Sequence, residues 1–359
     1  MATTSFGLND ALAVKLWSKM LDSEALKATD IAPLIGDDAN SIIQRKTETS
    51  KGSGDKVTFG LRMQLSGDGF TENETAEGNG ESLTIYSDSV VINELGHVVG
   101  VKSENTIDAQ RVPFDLRAEA RDGLADWFAK RMSVAFFNQV CGYTAETRVK
   151  YTGLQATIAP SSTRKVYAGG VSADESLTTY ATHKFDLTLL DKAKELARTA
   201  TPKIRPLKIN GQEKYVVYLH EYQVTDMRTS TSSGQWLDIQ KAAMAGADSS
   251  KSPIYSGALG EYNGIIIKSA IDVTNGVNSS TGAVLSNVRR AVLLGAQAAV
   301  CAYGEKNSPT KYRWNEELFD HKRRMEVSAW TIMGLKKSVY NSTDYGTVVI
   351  STYANQSHS

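Results

Sequence analysis

The adjacent residues His220 and Glu221 begin like the zinc-binding helix of metalloproteases. That motif needs a second histidine four residues after the first, so that both imidazoles lie on one helical face and bind the metal. Val224 occupies that position. The run that begins at Tyr215 is rich in aromatic and β-branched residues, and we interpret it as a strand that continues through Glu221. The pair therefore does not predict a zinc protease.

Two other segments resemble ligand-binding loops but miss their spacing rules. Residues Gly52 to Lys56 resemble a phosphate-binding loop, yet the full glycine spacing and the Ser or Thr after the lysine are missing. The acidic segment from Ser66 to Ser82 lacks the ligand spacing and central glycine of known calcium-binding loops. The histidines are scattered singly, and no Gly-x-Ser-x-Gly sequence occurs. We therefore predict no catalytic, metal-binding or cofactor-binding site.

The acidic segment favours a solvated or intersubunit surface over a cation site. It is rich in glycine and contains no basic residue. Its like charges repel one another unless basic groups of another subunit come near. We therefore predict that the tip of this segment contacts another subunit through its five carboxylates, which are Asp68, Glu72, Glu74, Glu77 and Glu81.

Two predicted strands flank the acidic segment. From Lys56 to Leu65, apolar residues alternate with polar residues or glycine, which is the pattern of a ribbon with one apolar face. The return strand, from Leu83 to Ile92, keeps this period less regularly. A two-stranded hairpin is marginally stable alone in water, and this one is predicted to be too extended to bury itself within one subunit. We expect an arm that lies on a partner; an edge hairpin of an ordinary sheet, with a mobile loop, is the alternative.

A long amphipathic helix is predicted from Phe114 to Gly142, directly after Pro113. Its apolar residues recur at spacings of three and four and form one continuous stripe. At 1.5 Å per residue the helix is about 40 Å long, well above the usual three turns. We expect the stripe to lie against the subunit's own core through Leu124, Trp127, Phe128 and Phe136.

The remaining segments mix helices and strands without a regular βαβ repeat, which favours the α+β class. The first fifty residues contain one short amphipathic helix at Ala11 to Leu21 and otherwise polar sequence, so we expect this arm to wrap rather than pack. Helices are also predicted at Phe185–Ala200, Gln235–Ala247 and Val288–Tyr303, and strands at Tyr215–Leu219, Gly264–Ser269 and Tyr345–Tyr353.

The overall composition argues against several classes of protein. The 359 residues include 40 basic and 40 acidic ones, so the chain lacks the basic excess of a histone-like nucleic-acid coat. Cys141 and Cys301 lie far apart on predicted helices and are typical of packing residues in a reducing compartment. No export signal is present, and the longest uncharged apolar stretch, Ala291 to Gly304, is shorter than the roughly 20 residues that span a bilayer. We expect a soluble protein, made inside the cell, without membrane contact.

The hairpin followed by the long helix, and several later strings, together resemble a known family. The later strings are Tyr215–Tyr222 with Asp226 and Arg228, Gly257–Ile267, Arg289–Ala299, Gly334–Lys337 and Asp344–Thr352. In their order and spacing they resemble the major capsid proteins of tailed phages with the Hong Kong 97-type fold, specifically the branch named after the Enterobacteria phage N-four. The resemblance runs across nearly the whole chain, and no single string is a sharp motif.

The resemblance implies a subunit with four parts. Residues 1–50 form an amino-terminal arm, and residues 51–100 form the hairpin of an extended loop. A peripheral domain comprises residues 101–200 and 322–359, with the spine helix at 114–142. Residues 201–321 form an axial domain that meets its copies around five- and six-fold axes.

The resemblance also implies a structural function. Pentamers and hexamers of this chain would assemble in the host cytoplasm into the icosahedral head of a virion, which encloses double-stranded DNA without sequence-specific binding. Because the predicted arm is short, any scaffolding protein is expected to be separate; a portal and a cement protein are further expected partners. A nanocompartment shell of the same fold, which packages an enzyme, is the nearest alternative. A soluble enzyme without a recognisable motif is the second.

Overall fold

The structure, a computed structural model, describes residues 11–27, 31–46, 55–61, 68–75, 77–78, 86–102, 107–111, 115–209, 211–230, 260–304 and 311–356. The predicted helix Gln235–Ala247 and the carboxylate of Glu81 lie outside these residues. Within them, no helix is long and apolar enough to cross a membrane. The α-helices span Ala11–Lys27, Ile107–Arg111, Leu116–Val140, Tyr180–His183, Leu187–Thr199 and Glu221–Thr229. Short 3₁₀ turns lie at Ala32–Leu34, Val149–Tyr151, Ser162–Arg164, Ala168–Gly170 and Asp174–Ser176.

The long helix Leu116–Val140 confirms the predicted one. It begins at Asp115, whose Oδ1 accepts a hydrogen bond from the backbone N–H of Arg117 at 2.8 Å. This bond satisfies one of the amide groups that the first turn of a helix leaves without a partner. The helix ends at Cys141, and Gly142 follows in the left-handed region with a φ of 63°, where glycine is favoured.

The first sheet lies against the long helix. Its longest strand, Arg324–Lys337, pairs antiparallel with Asn93–Lys102 on one side and with Tyr312–Phe319 on the other. The last of these pairings crosses the expected domain boundary between residues 321 and 322, and the domain boundaries stay a prediction. The strands of this sheet are Ile35–Gly36, Ile43–Lys46, Asn93–Lys102, Ala299–Tyr303, Tyr312–Phe319 and Arg324–Lys337.

The second sheet is built around the strand Gln212–Leu219. This strand pairs in parallel with Ile265–Ser269 and antiparallel with Val284–Leu294, whose other side pairs with Thr347–Tyr353. The predicted strands near 215–219, 264–269 and 345–353 are thereby confirmed. The smaller strands are Lys165–Tyr167, Leu207–Ile209, Glu261–Tyr262 and Asn275–Val277, and a separate ribbon joins Val339–Tyr340 to Thr343–Asp344.

Apolar side chains cover both faces of the second sheet. Val216 and Tyr218 belong to the first core, which also contains the buried side of the long helix. Val217 and Leu219, which point to the opposite face, belong to a second core with the helix Leu187–Thr199. In the sequence, a strand that is buried on both faces is a continuous run of apolar residues rather than an alternation of apolar and polar residues.

The predicted helix at Val288–Tyr303 is wrong. The segment forms two strands, Val284–Leu294 and Ala299–Tyr303, with Gln297 between them at a φ of 55°. The continuous apolar run arises because Leu293 faces the second core while Leu294 faces the first. Such a run cannot be distinguished from a buried helix by its period. Cys301 therefore lies on a buried strand rather than on a helix.

The expectation that the first fifty residues wrap rather than pack is also wrong for the described part of this segment. The first helix extends to Lys27, and Leu21 and Ala25 on it are buried in the first core. Its Trp17 ring stacks on Trp314 at a centroid distance of 5.7 Å. The polar sequence that follows packs through backbone hydrogen bonding, since Ile43–Lys46 pairs with a central strand of the first sheet.

The strand predicted to run through Glu221 ends at Leu219, and a helix begins after His220. The His220 Nδ1 accepts a hydrogen bond from Tyr222 N at 3.2 Å, and the His220 N–H donates to Gln223 Oε1 at 3.0 Å. The imidazole thus caps the helix as a neutral acceptor. Burial, with Arg289 nearby, lowers the pKa of His220 to about 4.

Replacing His220 by Asn is expected to remove one source of acid destabilisation. The folded pKa of about 4 lies below the ordinary value of 6.5, so the unfolded chain binds a proton first as the pH falls. The stability that the neutral imidazole contributes is complete above pH 6.5 and is lost towards pH 4, by on the order of 2 to 3 kcal/mol. Asn keeps a capping oxygen but does not titrate. Urea unfolding of the wild type and the His220→Asn variant at pH 7 and pH 4.5 tests this. If the free energy of unfolding falls by the same amount in both proteins between these pH values, the prediction is contradicted.

Candidate assembly surfaces

The base of the predicted hairpin is a ribbon of Lys56–Leu61 and Tyr86–Val91. The first strand alternates exposed and buried residues, as its period predicted. Its buried side packs against Val300, Ala302 and Tyr345. The prediction that the hairpin is too extended to bury itself within one subunit is therefore wrong for the base, because strand Ala299–Tyr303 offers an apolar surface in the same chain.

Polar contacts anchor the base of the ribbon to the rest of the subunit. Lys336 Nζ forms an ion pair with Asp88 and donates to the Ser89 carbonyl oxygen at 3.1 Å. The second oxygen of Asp88 accepts from Val339 N at 3.1 Å. The hairpin therefore starts from an anchored base.

We use the name acidic tip for residues 68–75, 77 and 78, all of which are exposed. Glu74 holds the local turn, since its Oε2 accepts from Thr71 N at 2.9 Å. Asp68, Glu72 and Glu77 form no ion pair with any described residue. Phe70 is 49% exposed beside them. In the described part of the chain, no group of three acidic, histidine or cysteine side chains is arranged to hold a metal ion.

The four residues expected to bury the long helix differ in exposure. Leu124, Phe128 and Phe136 are fully buried, and all three lie in the first core. Trp127 is half-buried, and only part of its ring contacts that core. The rest of the Trp127 ring contacts aromatic and cationic side chains on the outside of the helix.

A column of alternating aromatic and cationic groups runs across the outside of the long helix. The His97 and Trp127 rings stack with their centroids 4.6 Å apart, and the Arg131 guanidinium carbon lies 4.9 Å from the centroid of the Trp127 ring. Arg131 also lies 3.8 Å from the centroid of Tyr151, whose ring is 4.4 Å from the Arg148 guanidinium. We call these five residues the stacked column.

The stacked column carries positive charge. A hydrogen bond from Arg131 and the charge of that guanidinium lower the pKa of Tyr151. Arg148 pairs with Glu146 at 2.7 Å, whereas Arg131 and the exposed Lys150 form no ion pair with a described residue. This surface could not be recognised in the sequence, because its members come from a strand, a helix and a turn that are separated along the chain.

Two buried ion pairs join the segments that surround these surfaces. Arg290 Nε lies 2.7 Å from Asp174 Oδ2, and the same guanidinium donates to the Gly142 carbonyl oxygen at 2.8 Å. Lys337 Nζ lies 2.8 Å from Asp344 Oδ1, with both side chains at most 1% exposed. Both pairs neutralise charges inside the subunit, so their role is to hold segments together.

Comparisons with known proteins agree with this architecture. Residues 5–356 match the family described as phage capsid protein. The major capsid protein of Pseudomonas phage KPP25 is 25% identical, over 93% of each chain. The capsid of Ralstonia phage GP4 is 30% identical, with a TM-score of 0.77 over 99% of each chain. The Cyanophage Pam1 capsid, at 21% identity, has a TM-score of 0.67 over 92% of this chain and 93% of that one, which shows a shared fold.

These matches agree with the α+β architecture and confirm the expected Hong Kong 97-type capsid fold. They also place the chain in the virion. The chain therefore belongs to the phage capsid protein family, which confirms its expected role as a shell-forming subunit.

Proposed function

We propose that this chain is the major capsid protein of a tailed phage of the N-four-like branch, and that its pentamers and hexamers close into an icosahedral head around double-stranded DNA. The observation that carries the proposal is the hairpin. Its base is buried in the subunit, while the acidic tip is exposed and its Asp68, Glu72 and Glu77 form no ion pair with a basic residue in the described part of the chain. Such a projecting arm adds interface area on a neighbour, which suits closed rings of head-to-tail contacts.

The charge distribution supports packaging without tight DNA binding. The net charge of zero gives no general attraction to phosphate. The carboxylates of the acidic tip repel DNA, so their partner is a protein surface. A separate scaffolding protein, a portal and a cement protein complete the proposed set of partners, and assembly takes place in the host cytoplasm.

A nanocompartment shell remains the second candidate, because it shares the fold. The match to a phage capsid family across residues 5–356 favours the genome-containing shell. The two candidates differ in their contents, which are DNA in one case and an enzyme in the other.

Electron microscopy and light scattering of the purified chain test the proposal. We expect closed shells, or pentamers and hexamers, to form as the concentration is raised. Particles recovered from infected cells should contain nuclease-sensitive DNA once opened. A chain that stays monomeric at high concentration would contradict the proposal. Shells filled with a single enzyme would instead support the nanocompartment.

A further inference from the structure

We propose that the free edge of the strand Asn93–Lys102 pairs with the same strand of a second copy of this chain, across a two-fold axis that joins neighbouring rings of the shell. The inference rests on the proposed shell function and deepens it, because it names the surface through which pentamers and hexamers meet. Head-to-tail contacts around an axis close a ring but do not connect one ring to the next. Neighbouring rings of an icosahedral shell meet across two-fold axes, so the connecting surface has to be complementary to itself.

The strand Asn93–Lys102 lies at an edge of the first sheet. Among the described strands it pairs only with Arg324–Lys337, through ten consecutive residue pairs without a bulge. Its other edge therefore presents a row of backbone N–H and C=O groups over about 33 Å. Natural proteins often protect such an edge with a proline, a bulge or a short strand, and this strand has none of these. An edge of this kind is a template for a further strand.

The centre of the strand carries exposed apolar surface. Val98 is 43% exposed. Gly96 and Gly100 lie on the same face, two residues to either side, and add no side chain there. The Trp330 ring lies over Gly96 and is itself 37% exposed. These groups form an apolar patch beside the open edge, and a second strand paired with that edge would cover it.

The occupant is a second copy because the residues of this strand are complementary to themselves. When two copies run antiparallel with Val98 opposite Val98, Glu94 of each copy lies opposite Lys102 of the other, so two pairs of opposite charge flank the contact. The remaining pairs are Leu95 with Val101, Gly96 with Gly100 and His97 with Val99.

The charges also fix the register of this pairing. Within one strand, Glu94 and Lys102 are about 27 Å apart, so they cannot neutralise each other inside a subunit. A shift of the pairing by two residues in either direction separates both pairs of opposite charge. A single register is therefore favoured.

The substitution Val98→Lys tests the contact through assembly. Two lysines would face each other at the centre of the paired strands, and such a charge is one way in which natural proteins block edge pairing. We expect pentamers and hexamers to form normally while the yield of closed shells falls at least about tenfold. Sedimentation and electron microscopy distinguish rings from shells. A normal yield of shells would overturn the proposal, and so would a folded variant that loses its rings as well.

The substitution Val98→Cys identifies the occupant of the edge. Opposed Cα atoms in an antiparallel pair lie about 4.5 to 5.5 Å apart, which is within the range of a disulfide. Both native cysteines are buried, so the new thiol is the accessible one. When assembled shells are treated with oxidised glutathione, we expect most subunits to form disulfide-linked dimers on a non-reducing gel. The matched variant Asn315→Cys, exposed on the strand at the opposite edge of the sheet, should stay monomeric on the gel.

The absence of dimers in oxidised Val98→Cys shells would overturn the self-pairing. If Val98→Lys nevertheless blocked shell closure, the edge would belong to a strand of another protein, which also contradicts the proposal.

An exchange of charges tests the register. Glu94→Lys and Lys102→Glu each place like charges opposite one another, so each alone should lower the yield of shells at least about threefold at low salt. The defect should shrink in high salt. A chain with both substitutions restores both pairs and should recover the wild-type yield. If the double variant does not recover, the proposed register is wrong.

Controls separate this inference from the proposed function. Circular dichroism checks that each variant folds. Val284→Lys changes a valine of similar exposure, 48%, on another strand and should leave the yield of shells unchanged. An equal loss of closure in this control would attribute the defect to added charge and overturn the assignment to the edge. A wild-type chain without shells refutes the proposed function, whereas wild-type shells with no dimers of the Val98→Cys variant refute only this contact.

Discussion

Replacing Asp344 by Asn is expected to lower the subunit's free energy of unfolding by about 3 to 5 kcal/mol, because it leaves a buried ammonium group without its counter-charge. Lys337 and Asp344 are 0% and 1% exposed, and Ser161 N also donates to the Asp344 carboxylate at 3.1 Å. Burial lowers the pKa of Lys337, and Asp344 opposes that shift. Urea unfolding of the unassembled subunit, followed by circular dichroism, measures the loss.

Two further measurements identify the cause of this loss. In the variant, the folded lysine prefers to be neutral while the unfolded lysine is protonated, so stability should rise as the pH is raised towards the ordinary pKa of lysine. Adding Lys337→Met removes the buried charge and should recover part of the loss. Glu213→Gln breaks the half-exposed pair with Arg198 and should cost about 1 kcal/mol or less. If the two substitutions cost the same, burial of the ion pair is not what matters.

Replacing Leu21 by Ala is expected to lower the free energy of unfolding by about 2 to 5 kcal/mol and to reduce the soluble yield. Leu21 is fully buried in the first core, on the helix that contacts the long helix and the strand Tyr312–Phe319. Alanine keeps the helix propensity, so the cost is the lost packing and the cavity.

The control for this prediction is Lys19→Ala, an exposed position on the same helix, which should change stability by about 0.5 kcal/mol or less. The unassembled subunit should show the difference in a thermal or urea unfolding curve. A Leu21→Ala subunit that unfolds like the wild type but fails to form shells would restore the expectation that this arm wraps rather than packs.

The long helix and the alternating first strand of the hairpin could be predicted because their buried and exposed faces match the periods of the two backbone conformations. The strands Tyr312–Phe319 and Arg324–Lys337 were not predicted. Their inward faces contain Glu316 and Lys337, which are buried because Arg117 and Asp344, far away in the sequence, neutralise them. A charged residue on the inward face of a strand interrupts the alternation of apolar and polar residues, so the strand cannot be predicted from its hydrophobic pattern.

Separation along the sequence also limits what could be inferred about the assembly surfaces. The carboxylates of the acidic tip are neighbours in sequence and could be recognised there. The stacked column joins His97, Trp127, Arg131, Arg148 and Tyr151 from three elements, so it exists only once the chain has folded.

The position of the first helix determines when a subunit is complete. Ser18 donates a hydrogen bond to the carbonyl oxygen of Tyr312, 294 residues later in the chain. At the roughly 5 to 20 residues per second of protein synthesis, the helix waits about 15 to 60 s on the ribosome before this partner is made. Contacts between such distant segments also form slowly after release. A nascent chain therefore cannot finish its core or enter a shell, which separates translation from assembly in time.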